Sequence, residues 1–141
     1  MIEACLDKWH AHLRGELDGG LDEILADDVT FYSPIVFTPI EGKDMAKLYL
    51  SAAGNTFSEG DTSKTPGKED SNFRYSKEVM SGDTIVLEFE TTIDGKYVNG
   101  VDIMTWNDQG QITEFKVMIR PLQAVNLMHA QMKATLEKMQ G

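Results

Sequence analysis

Residues 73–120 divide into four β-prone segments, 73–80, 84–93, 97–106 and 112–120, separated by three short polar turns. The separators are Ser81-Gly82-Asp83, Asp94-Gly95-Lys96 and Asn107-Asp108-Gln109-Gly110. Glycine takes positive φ freely, and Asp and Asn tolerate it, so these read as hairpin turns. Connections this short leave only antiparallel neighbours, because a parallel return needs a dozen residues or more. The segments therefore predict an antiparallel meander. Leu87 and Phe89 alternate with Glu88 and Glu90, and Phe115, Val117 and Ile119 alternate with Glu114 and Lys116. One face of the sheet is apolar and requires a cover.

The cover lies upstream. Ile2, Leu6, Trp9 and Leu13 recur at helical spacing, with Glu3, Asp7, Lys8 and Arg14 elsewhere, and Gly15 marks a stop. Asp18 is expected to cap a short second helix containing Leu21, Ile24 and Leu25 and ending near 26–28. Residues 29–33 read as a short strand ended by Pro34, and residues 42–44 open a third helix reaching about Ala53. From 54 to 71 the composition turns to Gly, Ser, Thr, Asp and Lys, which predicts a long polar loop. After the strands, Pro121 opens a last helix with Val125, Met128, Met132, Leu136 and Met139 on one stripe. Helices followed by a run of strands predict one α+β domain over 1–141, its sheet wrapped by the N-terminal helices.

Charge and composition remove several classes of function. A formal net charge of -10, with no run of basic residues, argues against nucleic acid or an anionic membrane as partner. The single cysteine, Cys5, excludes an intrachain disulfide and a multi-cysteine zinc site, and its neighbours Leu6 and Trp9 mark it as a core residue. Nothing approaches the roughly 20 apolar residues of a membrane span, and the start has no basic-then-apolar leader. A cytoplasmic protein is the expectation. His10 and His12 point apart on their helix, and the Glu3, Asp7 and His10 face reads as solvated, so no metal is expected. Residues 60–68 have the wrong spacing for a phosphate loop, with Glu69 where a hydroxyl residue is needed.

One residue breaks the pattern. Asp102 shares a strand face with Gly100, Met104 and Trp106. Aspartate is disfavoured within strands, and apolar surroundings disfavour its charged form. It is a residue on a wet face, or it is paired with Arg120 or a histidine, or it has a raised pKa and carries a proton near neutrality. His12 lies near the apolar stripe of its helix, as a rim residue or an acid/base group. Arg120 reads as an ion-pair partner or a clamp for a ligand carboxylate, and His129 as a residue that packs at an interface rather than reacts.

Residues 13–34, containing LDGGLDEILADDVTFYSP, then Pro39-Ile40-Glu41-Gly42, resemble the first half of SnoaL-like proteins of the nuclear transport factor 2-like superfamily. The stretch LEFETTIDGKYVNGVDIMTWNDQGQITEFKVMIRPL resembles their second half. That superfamily includes ketosteroid isomerase and polyketide cyclases. The resemblance implies a cone: a curved antiparallel sheet wrapped by helices around a mostly apolar cavity. The general-base aspartate of ketosteroid isomerase falls on Ser33, its first-helix tyrosine on Trp9, and its protonated oxyanion-hole aspartate on Asp102. With base and tyrosine replaced, steroid-type isomerisation is not the expectation. The cyclases depend on a sheet aspartate as acid/base, and Asp102 matches that role.

These readings predict a small, apolar organic ligand handled without metal or cofactor. Asp102 is the candidate catalytic residue, and Trp9, Ser33, Phe89, Met104, Phe115 and Ile119 are the candidate ligand contacts. The chemistry expected is isomerisation, cyclisation or hydration of a carbonyl compound. A non-catalytic binder and an interaction module with a filled cone are the alternatives. The sheet faces and the Met-rich last helix make a homodimer the expected state.

Overall fold

The computed structural model describes residues 1–59 and 73–140, without the side chains of 54–59, 135, 136 and 138–140. The elements run α1 (Ile2–Leu13), α2 (Leu21–Ile24), β1 (Leu25–Tyr32), β2 (Ile40–Glu41), α3 (Lys43–Glu59), β3 (Arg74–Ser81), β4 (Thr84–Ile93), β5 (Lys96–Trp106), β6 (Ile112–Arg120) and α4 (Leu122–Gln140). The fold is α+β, with one curved, unclosed six-stranded sheet in the order β2-β1-β6-β5-β4-β3. The meander β3 to β6 is antiparallel throughout. At the β4–β5 turn Asp94 has φ 52° and Gly95 has φ 76°, the pair of positive angles that a tight two-residue hairpin requires.

Upstream the structure departs from the sequence reading in four places. The second helix is a single turn capped at Gly20 rather than Asp18. Leu25 belongs to β1, because it and Ala26 are buried in the sheet while a register shift between Leu25 and Thr30 leaves Asp27 and Asp28 outside. A two-residue strand, β2, had no signal of its own. The third helix runs past Ala53 to Glu59, into the stretch read as a loop; the rest of that stretch, 60–71, lies outside the described residues. Strand β1 also pairs parallel with β6, so the sheet is antiparallel in all but that one contact.

Two clusters of buried side chains hold the apolar face to its helices. In the first, Cys5, Leu6 and Trp9 of α1 pack with Ile24, Leu87, Met104 and Trp106. In the second, Ala124 and Met128 of α4 pack with Phe89, Ile93 and Val98. The last helix thus shares the covering role with the N-terminal helices. Each large side chain so buried contributes roughly 1.5–3 kcal/mol. Bulges between Tyr75 and Lys77 and between Thr105 and Trp106 accompany the bend of the sheet. Between the clusters the bent face is uncovered. No helix among the described residues is long and apolar enough to cross a membrane.

Candidate functional site

The gap between the bent sheet, α1, α3 and α4 is a cavity of about 470 Å³. Its floor follows the strand register: Tyr75 lies opposite Phe89, Phe89 opposite Gly100 and Gly100 opposite Ile119. In the next row Leu87, Asp102 and Val117 lie side by side. Gly100 leaves room for the Phe89 ring: a Cβ there would collide with the ring's Cζ and come within 2.8 Å of the Met118 carbonyl oxygen. The missing side chain at Gly100 lets the aromatic ring lie against the strand.

Asp102 is 7% exposed, within a mainly apolar wall. Its partner is neither Arg120 nor a histidine. The phenol of Tyr75 donates to its Oδ2 over 3.4 Å, and the indole Nε1–H of Trp9 donates to the Tyr75 oxygen over 3.0 Å. Burial pushes the Asp102 carboxyl up to about 7, with the Tyr75 hydrogen bond pulling weakly the other way. Burial, and then the Asp102 charge, push the Tyr75 phenol well above its ordinary range. Burial therefore favours the protonated form of both groups, and the carboxyl shares its proton with water near neutral pH. Tyr75 carries no sequence signal of its own, because the bulge that follows it sets its direction.

The cavity brings together Asp102, Trp9, Ser33, Phe89, Phe115 and Ile119. Trp9 does more than form a wall, since its N–H anchors Tyr75 while its ring lies 5.4 Å from that of Phe115. Ser33 Oγ accepts the backbone N–H groups of Ile35 and Val36 at 3.0 and 3.2 Å, leaving its hydroxyl proton free to donate. Met104 does not belong to the lining. It lies on the same strand face, but it is fully buried between Ile85 and Phe115, under α1. Arg120 does not line the cavity either, and donates instead to Asn99 Oδ1 over 3.3 Å. His12 does reach the cavity, its ring 5.3 Å from the Trp9 indole, and burial pushes its pKa down. His129 is exposed at the α4 side of the opening. Cys5 is buried in the core.

No family model matches the chain, and no curated protein matches it. Solved structures do. A steroid delta-isomerase from Pseudomonas aeruginosa is similar at 27% identity and a TM-score of 0.79, over 97% of this chain and 92% of that one. A nuclear transport factor 2-like protein of unknown function from Mesorhizobium loti is 17% identical, with a TM-score of 0.63 over 84% and 90% of the two chains. A protein described as a SnoaL-like polyketide cyclase, also from Mesorhizobium loti, is 19% identical, with a TM-score of 0.50 over 82% and 96%. The chain has the nuclear transport factor 2-like fold.

Proposed function

We propose that the chain binds a small, largely apolar carbonyl compound in this cavity and rearranges it by cofactor-free acid/base chemistry. The observation that carries the reading is the Asp102 carboxyl, raised to about 7 by burial and hydrogen-bonded to Tyr75 on an apolar wall. A carboxyl of that kind is partly protonated at neutral pH. It can donate to a carbonyl oxygen whose charge grows as the neighbouring carbon loses a proton. Tyr75 is the second donor, because the Trp9 N–H fills one side of its oxygen and leaves the phenol proton for Asp102 or for a ligand in its place. Trp9, Phe89, Phe115 and Ile119 hold the apolar body, and the Ser33 proton offers one further hydrogen bond. A volume of about 470 Å³ suits a ligand of a few fused rings. Steroid isomerisation, disfavoured by the residues at Ser33 and Trp9, returns as the first class to try because Tyr75 supplies a phenol beside Asp102 and a steroid delta-isomerase is similar in structure.

A β,γ-unsaturated ketosteroid is the assay compound, its conjugated product followed by absorbance. Asp102→Asn is expected to lower kcat by about 10²- to 10⁴-fold with little change in KM. Equal rates in the two proteins would rule the assignment out. The second reading is a non-catalytic binder, favoured by Ser33 at the position where the resemblance puts a base. A carbonyl ligand that co-purifies and is released chemically unchanged after incubation supports that reading instead.

A further inference from the structure

Loss of a proton from carbon needs an acceptor, and Ser33 is a poor one, with its oxygen committed to two backbone N–H groups. We infer that His12 is the base, taking a proton from the carbon next to the ligand carbonyl and handing it to the far carbon of the enolate. This rests on the reading of Asp102 given above and adds the other half of its chemistry.

The placement comes from α1. Trp9 and His12 lie one helical turn apart, so both project from the same face toward the cavity. The Trp9 indole touches His12 on one side, at a ring separation of 5.3 Å, and on the other holds Tyr75, which leads to Asp102. The hydrogen-bond acids and the imidazole thus flank one side chain and open on the same space. The imidazole makes no hydrogen bond or ion pair among the described residues, whereas its neighbour His10 is held by Glu78 at 2.8 Å. The titratable and charged groups sharing the cavity with it are Asp102 and Tyr75 from the sheet, Tyr49 from α3, and His129, Lys133 and Glu137 from α4. Burial keeps the imidazole in its neutral, basic form, against the opposite pull of the C-terminal end of α1. His129, the other cavity histidine, is exposed on α4.

The step balances with protons alone. The C–H bond breaks and its electron pair forms the enolate C=C. The carbonyl oxygen takes the negative charge under the hydrogen bonds of Asp102 and Tyr75. The imidazolium of His12 then reprotonates the distal carbon, and nothing is oxidised or reduced.

The test uses the full chain in deuterated buffer with the β,γ-unsaturated ketosteroid, reading conjugated product by absorbance and deuterium gained at either carbon by mass spectrometry. Binding of a naphthol, an oxyanion mimic, is titrated separately by fluorescence. His12→Gln is expected to slow exchange by about a hundredfold or more, while naphthol affinity changes by less than about threefold. The acid limb of the wild-type pH profile disappears in His12→Gln, and free imidazole restores part of the rate to His12→Ala. Thermal unfolding of each variant shows whether it is folded. A folded His12→Gln exchanging within about threefold of wild type, while Asp102→Asn is slow, overturns the role of His12 and leaves the Asp102 reading standing. Wild-type protein that binds naphthol but neither exchanges deuterium nor forms the conjugated product overturns it as well. Wild-type protein that does neither removes the Asp102 reading, and His12 with it.

Discussion

At the level of single residues, Asp102 shows both what the sequence tells and what it hides. Alternation along 97–106 was enough to put it on the apolar face, and propensity was enough to mark it as anomalous. Its partner was not legible. Simple alternation puts Tyr75 on one face with Lys77 and Val79, a mixture that points nowhere. The bulge between Tyr75 and Lys77 breaks that alternation, turning Tyr75 inward opposite Phe89 and Lys77 outward opposite Glu88. Met104 failed for a related reason: facing the same way as Asp102 does not distinguish a cavity wall from the core under α1. The raised Asp102 carboxyl has a consequence for stability whose sign is fixed. Its folded pKa of about 7 lies above the 3.8 of a free side chain, so the native state holds the proton over that interval and the unfolded state does not. Stability from this group is full below about pH 4 and is lost as pH rises through about 7. Asp102→Asn removes the dependence. Relative to wild type it is expected to gain stability between those limits, by roughly 4 kcal/mol at most. Urea unfolding of both proteins across the interval measures this, and parallel curves would show that Asp102 titrates normally.

Among the elements, the sheet was the legible part. Strands β4 and β6 have the predicted ends, and β3 and β5 differ by one residue, because tight turns leave a meander little freedom. The upstream elements were less legible because their ends are set by distant partners. Leu25 reads equally well as a helix or a strand residue, and its pairing with Ile112 decides the matter. The polar composition after Ala53 signalled a loop, yet α3 continues to Glu59. The parallel contact of β1 with β6 joins segments some eighty residues apart, beyond the reach of local pattern. Gly100 is where element and cavity meet, since β5 must lack a side chain for Phe89 to lie across it. Gly100→Ala forces the ring toward the cavity or the strand away from β6. It is expected to destabilise the fold by about 1–3 kcal/mol and to weaken naphthol binding. Adding Phe89→Leu removes the ring and is expected to restore much of the stability lost, a non-additivity that denaturant unfolding of the four proteins of the cycle reads directly. Additive losses would mean that the ring and the glycine are not in conflict.

For the whole molecule, the helices gather on one side of the sheet and leave the other side to explain. The strand register lines up Val79, Val86 and Ile103 in one row of the outer face, and Val101 and Met118 in the next, beside Lys77 and Glu88. Val79 and Met118 are 47% and 49% exposed, and Val86, Val101 and Ile103 are partly exposed. A chain of net charge -10 keeps most surfaces apart by repulsion, so an apolar band crossing three strands is out of place in water unless something meets it. A second copy is the simplest occupant. Two such faces present the same apolar rows to each other, and the Lys77 and Lys116 beside them offer positive charge to an acidic neighbour. The chain is therefore expected to sediment as a dimer at micromolar concentration. Met118→Lys, which puts a cation on the band while leaving the cavity face untouched, is expected to shift it to monomer. If activity belongs to the cavity of one chain, the monomeric variant keeps its naphthol affinity. Wild-type protein that sediments as a monomer, or a Met118→Lys variant that stays dimeric, removes the outer face as the contact.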